Sequence, residues 1–500
     1  MPPAVLTATV PVAAQESPVS DKIADKSPQP PSSSARLESF FRIRERGSTV
    51  GREIRGGLAT FFTMAYILVL NPIILSGAED KYGNQLDFGQ LVTVTALVAA
   101  VMTVLMGVTA NLPLALAAGL GINAVVAYQI APLMTWADAM GLIVLEGIIV
   151  CLLAATGVRE AVMNAIPQPL KVAISVGIGM FIALIGFIDA GFATRIPDIA
   201  DTTVPLQLGS TGSLSGWPVV VFCAGVLLTV SLLARGVKGA ILISILAMTV
   251  VAIVLNSVAD IADEAWGLTV PDWPGDVVEA PDFGLLGEFS FFGAFDEVSA
   301  VTVVLLVFTL FLTDFFDTMG TAVGVTSEAG LLDEQGRVPR LGRLLFVDGL
   351  ATVFGGAASG SSSTSYIESA AGVGEGARTG LANLVTGGLF ALALLFTPLA
   401  LVVPSQAAAP ALIAVGFLLM TQVRHIDWTR YEIAVPAFLT IAVMPFTYSI
   451  TNGLGAGFIA YVLLQAVMGR ARKVHPLMWA VSVLFVVYFA IEPIEDLLGV

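Results

Sequence analysis

Stretches of apolar residues separated by short polar loops recur from Gly56 almost to the end of the chain. An α-helix needs about 20 such residues to cross the hydrocarbon core of a bilayer, so the pattern predicts an all-α polytopic membrane protein with roughly 14 elements. The first set lies near residues 56–76, 90–109, 113–129, 138–158, 168–190, 217–235 and 238–256. The second set lies near residues 298–318, 341–358, 363–376, 379–400, 408–422, 433–468 and 474–491.

The third element of each set is too short and too polar to be an ordinary span. Residues 111–128 read NLPLALAAGLGINAVVAY, and residues 355–376 read GGAASGSSSTSYIESAAGVGEG. Each begins as extended, small-residue sequence and then becomes helical. Non-helical backbone persists at membrane depth only where protein or a watery cavity covers it. Interrupted segments at corresponding positions predict inverted repeats with a substrate site between them. Two Gly-rich loops at helix ends are the alternative.

Basic residues predict the orientation of the chain. Six arginines lie between residues 36 and 55, before the first apolar segment, and this places the N-terminus in the cytoplasm. The basic loops after even-numbered elements agree with this orientation as far as Arg430. Another basic loop, around Arg470, follows after only one predicted element. Either segment 433–468 crosses twice, with a break at residues 448–453, or the last segment is not a full crossing.

Composition excludes several other classes of protein. The chain is 56% hydrophobic and 12% charged, which is too little charge to cover the surfaces of soluble domains of this total length. A net charge of −15 argues against a nucleic-acid partner. Cys151 and Cys223 lie in apolar runs, and His425 and His475 are far apart, so neither pair predicts a disulfide or a metal site. Motifs of hydrolases, phosphate-binding loops and zinc sites are absent from the sequence, so neither an enzyme nor a cofactor is predicted.

The first 50 residues differ from the rest. Residues 15–34 are rich in Ser, Pro, Asp and Lys, and they lack an apolar period. Such a segment buries too little apolar surface to fold, so residues 1–50 are predicted to form a disordered cytoplasmic leader. The sequence also lacks the basic and apolar regions of a signal peptide, so insertion is expected to use the spans themselves.

Two carboxylates interrupt a strongly apolar run, at Asp314 and Asp317. Each carboxylate near the bilayer centre costs about 2.5–3.5 kcal/mol on insertion scales. Their spacing places them on neighbouring faces of one helix, about 5–6 Å apart. We interpret them as site residues that need partners or a cavity. The alternative is that they cap the helix at its wet end, before Gly320.

The interrupted segments supply three further candidates. Glu368 lies in the first turn of a short predicted helix, where the helix dipole stabilises an anion; a plain capping glutamate is the alternative. Asn123 offers both donors and an acceptor and can bind the edge of a heterocycle, although a turn or cap role is also open. Gly121 would let the backbone approach a flat ligand closely.

Several long motifs in order carry a resemblance to a known family. The chain resembles the purine permeases of the nucleobase–cation symporter family, which have the uracil-permease fold, in their AzgA-like branch. The related xanthine and uracil branches carry Asn directly after the residue matching Glu368, whereas Ser369 stands here. The similarity runs from about Arg52 to Phe489, through TFFTMAYILVLNPIIL (60–75), ANLPLALAAGLGINA (110–124), TDFFDTMGTAVGV (313–325), SSSTSYIESAAGVGEGARTGL (361–381) and AVPAFLTIAVMPFTYSITNG (434–453).

The resemblance implies 14 transmembrane segments in two inverted repeats of seven, with two half-helices preceded by short strands. Segments 1–4 and 8–11 would form a core domain, and segments 5–7 and 12–14 a gate domain that usually makes the contact of a homodimer. The implied boundaries are 51–160 and 298–402 for the core, 161–258 and 403–500 for the gate, and 259–297 for an extracytoplasmic loop.

The resemblance also implies the site and the function. Asp314, Glu368, Asn123 and Gly121 match the substrate-binding residues, and Asp317 and Glu368 match the positions of proton coupling. We therefore expect a secondary active transporter in the plasma membrane that imports purine nucleobases, namely hypoxanthine, guanine or adenine. The expected mechanism is proton symport with alternating access.

Three alternatives remain, of which two belong to other classes and one to the same family. A sulfate- or bicarbonate-type anion transporter has the same fold but would replace the acidic site with neutral or cationic groups. A uracil or xanthine permease is the alternative within the family. An intramembrane aspartyl protease needs two carboxylates on separate helices in a GxGD setting, which the sequence lacks.

Overall fold

The computed structural model describes residues 33–156, 166–196, 206–210, 212–259, 261–267, 269–334 and 337–490. Residues 1–32, most of the predicted leader, lie outside the described residues. The described end of that leader contains a helix, α1 (Ser33–Phe41), where the sequence predicted no regular structure. Leu37, Phe40 and Phe41 have the spacing of one face of a helix, which accounts for this local difference.

The described residues form helices and four strands of three residues each. In the first part of the chain these are α2 (Val50–Met64), α3 (Ile67–Ser76), α4 (Phe88–Thr109), β1 (Leu116–Ala118), α5 (Leu120–Val125), α6 (Trp136–Thr156), α7 (Gln168–Asp189), β2 (Ala193–Arg195), β3 (Leu206–Leu208), α8 (Trp217–Ala234) and α9 (Ala240–Ala259). The second part contains α10 (Asp263–Trp266), α11 (Ala294–Glu297), α12 (Ala300–Glu328), α13 (Leu341–Ala357), β4 (Ser363–Ser365), α14 (Ser369–Gly374), α15 (Leu381–Ala393), α16 (Thr397–Leu401), α17 (Ser405–Met420), α18 (Tyr431–Phe446), α19 (Ile450–Val467) and α20 (Pro476–Phe489).

Many of these helices have the length and the apolar composition of membrane spans. Within the described ranges, 10 stretches meet both conditions, and α2 and α3 continue each other as one of them, Val50–Ser76. Residues Leu120–Leu133, α18 and α20 are shorter apolar helices. The predicted class, a mostly helical multi-pass membrane protein, is therefore confirmed. The count of 14 segments and their inverted repeat stay predictions.

The long apolar segment at residues 433–468 is two helices. Helix α18 ends at Phe446 and α19 begins at Ile450, where the Ser449 side chain accepts a hydrogen bond from the Asn452 N–H. Tyr448, between them, has a left-handed φ of 53°. The structure therefore contains a break in this segment, as the first of the two sequence alternatives requires, and two helices separate Arg430 from Arg470.

The helices pack in two groups. In the first bundle, comprising α2–α6 and α12–α15, α6 packs on α13 and α4 packs on α15. In the second bundle, comprising α7–α9 and α17–α19, α7 packs on α17 and α18. Small residues allow close approach, since a Cβ atom at Gly179 would lie 2.7 Å from the Gly416 carbonyl oxygen. Such small-residue contacts are typical of helix packing in membranes.

Candidate functional site

The two interrupted segments meet in a small antiparallel sheet. Strand β1 pairs with β4, with Ala117 opposite Thr364. The Gly119 N–H donates to the Ser362 carbonyl at 2.9 Å and extends the pairing. The Thr103 side chain both accepts from the Leu116 N–H and donates to its carbonyl, each at 2.9 Å. The extended backbone of these strands is therefore hydrogen-bonded within the protein, as a segment among membrane-spanning helices requires.

A short helix follows each strand, so both helix N-termini lie beside the sheet. Helix α5 begins directly after Gly119, and Glu368 is the N-cap residue of α14. The structure thus contains the two half-helices, each preceded by a short strand, that the sequence predicted. Helix N-termini carry partial positive charge and favour anions or polar ligand atoms.

Glu368 is held by residues from the first apolar segment. Its carboxylate accepts a hydrogen bond from the Tyr66 hydroxyl, and its backbone carbonyl accepts one from the Thr63 hydroxyl at 3.3 Å. The Tyr366 hydroxyl, two residues earlier, donates to the Ala118 carbonyl at 2.5 Å. Two tyrosines therefore fix the start of α14 against its neighbours. Glu368 itself is only partly buried.

A third carboxylate, that of Asp348, lies close enough to Asp317 to interact with it. Asp348, on α13, is fully buried and accepts hydrogen bonds from Thr318 at 2.7 Å and Ser365 at 3.2 Å. Asp317 interacts electrostatically with both Asp348 and Glu368. The structure therefore brings Asp317, Asp348 and Glu368 into one acidic group.

Gly121 lies where the acidic group meets the second bundle. A Cβ atom at this position would lie 3.1 Å from Ile178 Cγ2, on α7, and 3.9 Å from Asp317 Oδ2, on α12. A larger side chain at residue 121 would therefore occupy the space between α5, α7 and α12. This placement puts the start of α5 between the two bundles.

Asn123 is fully buried two residues further along the same segment. Among the described residues, neither its amide nitrogen nor its amide oxygen has a hydrogen-bond partner. A buried polar group without a partner costs about 1–3 kcal/mol, so such a group in a native fold needs an explanation. A ligand with a complementary polar edge would provide both partners.

Asp314 is fully buried one turn before Asp317 on α12. The electrostatic interactions that define the acidic group involve Asp317, Asp348 and Glu368. Sequence reasoning missed Asp348 and Tyr66. The signal for Asp348 was available, because this residue interrupts the apolar run LLFVDGLATVF in the way that Asp314 interrupts its own run. Tyr66 gave no comparable signal, since a tyrosine in an apolar helix is ordinary.

A multi-pass helical protein in which two short helices follow a pair of hydrogen-bonded strands, with carboxylates nearby, has an architecture typical of membrane transporters. The chain matches the Xan_ur_permease model, described as a permease family, over residues 51–492. This protein is therefore a member of that permease family.

Named relatives are similar over almost their whole length. The guanine/hypoxanthine permease PbuG of Bacillus subtilis is 38% identical over 458 residues, which cover 91% of this chain and 99% of that protein. The adenine permease AdeP of Escherichia coli is 36% identical over 453 residues, covering 90% and 95%. The guanine/hypoxanthine permease PbuO of Bacillus subtilis is 35% identical over 453 residues, covering 89% and 98%. These relatives confirm the resemblance to purine permeases found in the sequence.

Solved structures share the fold. The transmembrane domain of the cyanobacterial bicarbonate transporter BicA superposes with a TM-score of 0.56 at 14% identity, covering 82% of this chain and 97% of that one. Murine Slc26a9, an anion transporter in the inward-facing state, gives a TM-score of 0.55 at 13% identity, covering 90% and 74%. At these identities the likeness concerns the fold alone.

Proposed function

We propose that this protein imports purine nucleobases across the plasma membrane by proton symport. The observation that carries the proposal is that Asp317 lies beside Gly121 of α5 and interacts electrostatically with Glu368 of α14, while the buried Asn123 amide of α5 has no hydrogen-bond partner among the described residues. The names of the relatives, two guanine/hypoxanthine permeases and one adenine permease, support purines as the substrates.

The residues suit the edge of a purine ring. A purine presents N–H donors beside acceptors, so carboxylates at Glu368 and Asp314 would accept from N–H groups. The Asn123 amide can donate to one ring atom and accept from its neighbour. Without a side chain at Gly121, the backbone there would be able to approach the flat ring. The acidic character of the site also argues against an anion as the substrate.

Proton coupling follows from the concentration of carboxylates. Asp317, Asp348 and Glu368 interact in a low-dielectric site, where holding several negative charges together is costly. A bound proton removes one charge and lets a carboxyl group donate to the purine. Proton and purine would then favour each other's binding, which couples the proton gradient to accumulation.

Alternating access would use the two bundles, with the first as the core domain and the second as the gate domain. The packing of α6 on α13 resembles that of α4 on α15, and the packing of α7 on α18 resembles that of α8 on α17. These pairs support two inverted repeats. The first repeat would end with α9 and the second with α19, which would then be the fourteenth segment. Helix α20 would be an additional helix after the second repeat. The homodimer through the gate domain stays a prediction of the resemblance.

The orientation has independent support from the break between α18 and α19. Two helices separate the basic loop at Arg430 from the one at Arg470, so both loops lie on one face of the membrane. We place that face, together with the N-terminus, in the cytoplasm.

Uptake of labelled hypoxanthine and adenine by cells that lack their own purine permeases tests the proposal. We expect uptake that a protonophore abolishes. Glu368→Gln and Asp317→Asn should lose uptake and still insert into the membrane, whereas Glu279→Gln, in an exposed loop, should transport normally. Normal purine uptake by Glu368→Gln would contradict the assignment of the site, and uptake that survives collapse of the proton gradient would contradict symport.

A further inference from the structure

Aromatic rings join the two bundles beyond the candidate site. The segment of α5 continues as a π-helical turn, Val126–Ile130, which carries Tyr128. The Tyr128 ring meets the Tyr448 ring edge to face, with centroids 5.6 Å apart, and Tyr448 meets Phe181 of α7 at 5.2 Å. Tyr448 lies at the break between α18 and α19. Single π-helical turns within helices are frequent at functional positions.

A glutamine strengthens the same contact. The Gln129 amide oxygen accepts hydrogen bonds from the Ser449 hydroxyl at 3.1 Å and from the Thr451 N–H and hydroxyl at 3.3 Å each. Because the Thr451 N–H belongs to the first turn of α19, a side chain of the first bundle caps a helix of the second bundle. Thr451 also donates to Thr309 of α12, at 3.2 Å. We call Tyr128, Gln129, Tyr448, Ser449 and Thr451 the outer latch.

Some polar groups in and beside the outer latch lack hydrogen-bond partners. Among the described residues, the Gln129 amide nitrogen and one Asp189 carboxylate oxygen are buried without a hydrogen-bond partner. Asp189, at the end of α7, interacts electrostatically with both tyrosines of the latch. Tyr448 also adopts the left-handed conformation, which is unfavourable for a bulky residue. A partly satisfied polar contact is less stable than an apolar one of the same size, so this contact is suited to open.

A second contact joins the bundles at their opposite end. Lys238, between α8 and α9, pairs with Glu375 at the end of α14. Helices α7 and α8 are consecutive and each is long enough to cross the membrane, so the Asp189 end of α7 and the Ala234 end of α8 lie on opposite faces. Helices α18 and α19 meet at the latch and carry the basic loops at their other ends, which places the latch on the extracytoplasmic face.

We propose that the outer latch closes the extracytoplasmic path to the substrate site and separates in each transport cycle. The inference rests on the proposed transport function. Gly121 and Gln129 lie in one continuous segment, eight residues or about 12 Å apart along a helix. Movement of this segment on substrate binding would therefore reach the latch directly. Gln129 and Thr451 are positioning residues, because they act on the closure of the path and not on the substrate.

A reversible cross-link tests the proposal. Thr309→Cys/Thr451→Cys, in a Cys151→Ala/Cys223→Ala background, joins the two bundles where the native hydroxyl oxygens are 3.2 Å apart. Oxidation to the disulfide should lower purine uptake about tenfold or more, because the latch must open in each cycle, and dithiothreitol should restore it. The control is Thr229→Cys/Ser244→Cys, whose native hydroxyls are 2.7 Å apart and equally buried, but within the second bundle. Its disulfide should leave uptake unchanged.

Retention of more than about half of the uptake by the fully cross-linked Thr309/Thr451 protein would overturn the latch. If the Cys151→Ala/Cys223→Ala protein, without the introduced cysteines, showed no purine uptake under reducing conditions, that result would instead contradict the proposed function. A second measurement does not depend on purines. In an Ile178→Cys reporter, Gln129→Met should raise labelling by an external, membrane-impermeant maleimide about threefold or more, whereas Gln90→Met should not. Equal labelling rates for the two variants would also overturn the latch.

Discussion

Replacing Asn123 with leucine should stabilise the fold and weaken purine binding. The side chain is fully buried, and among the described residues both of its amide atoms lack hydrogen-bond partners. Leucine has the same branching and the same number of side-chain heavy atoms, and it has no polar atoms. One buried unpaired polar group costs about 1–3 kcal/mol, and the substitution removes two, so we expect the free energy of unfolding to rise by about 1–2 kcal/mol once entering water is allowed for.

The same substitution removes two hydrogen bonds to the proposed ligand. It would also leave the matching purine atoms buried without partners, so affinity should fall about 10- to 100-fold. The assay is thermal unfolding of the purified protein with and without hypoxanthine. Without ligand, the melting temperature of Asn123→Leu should exceed that of the wild type by about 1–3 °C. With ligand, the stabilisation seen in the wild type should be largely lost.

Asn71→Leu is the matched control for this experiment. Asn71 is equally buried, but its amide nitrogen donates to the Thr95 hydroxyl at 2.7 Å and the Gly360 carbonyl at 3.1 Å. Its replacement should therefore lower the melting temperature. If Asn123→Leu were destabilised as much as Asn71→Leu, or bound hypoxanthine with unchanged affinity, Asn123 would be an ordinary structural residue.

Three further substitutions probe the site and the bundle contact. Gly121→Leu should abolish uptake, because its side chain would fill the space between α5, α7 and α12; normal uptake by the variant would place the substrate elsewhere. Asp348→Ala leaves two hydroxyl donors without their acceptor and should lower the free energy of unfolding by about 2–4 kcal/mol, which chemical denaturation would measure. The hydrogen bond from Lys238 lowers the pKa of Glu375, so the pair stabilises the fold above the ordinary Glu range and is lost as pH falls through the lowered value. The difference in melting temperature between wild type and Glu375→Gln should therefore shrink below about pH 4, and a constant difference would refute this.

The interrupted segments could be predicted because their sequences are locally unusual. Small and polar residues at 111–128 and 355–376 fit neither a soluble loop nor a span, and only a covered, extended strand with a short helix satisfies their backbone at membrane depth. The pairing of β1 with β4 joins residues almost 250 positions apart. Local composition therefore predicts the two half-helices, and the resemblance supplied the strands.

The sequence alone predicted the break at residues 447–449 only as one of two alternatives. The distribution of basic loops required either a second crossing or an incomplete last segment. The apolar pattern alone could not decide, because Tyr448 and Ser449 are too few to interrupt a hydropathy window. The left-handed φ of Tyr448 and the N-cap at Ser449 make the break, and both depend on backbone geometry that composition does not reveal.

The partners of the candidate residues could not be predicted. Tyr66 reaches Glu368 across 302 positions of the chain, and Thr318 reaches Asp348 across 30. Such pairs arise from tertiary packing, so the rule that buried carboxylates need partners indicates only that partners exist. That rule picked out Asp314 and Asp317, and it applied equally to Asp348.

Proton entry driven by substrate tests the central claim most directly. The purified protein would be reconstituted in liposomes that contain a pH-sensitive dye, without an imposed pH gradient, and hypoxanthine or adenine would be added outside. We predict acidification of the lumen that depends on purine concentration, is absent with sulfate or bicarbonate, and disappears in Glu368→Gln. Purine accumulation without any change in lumenal pH would contradict symport, and acidification that persists in Glu368→Gln would contradict the site.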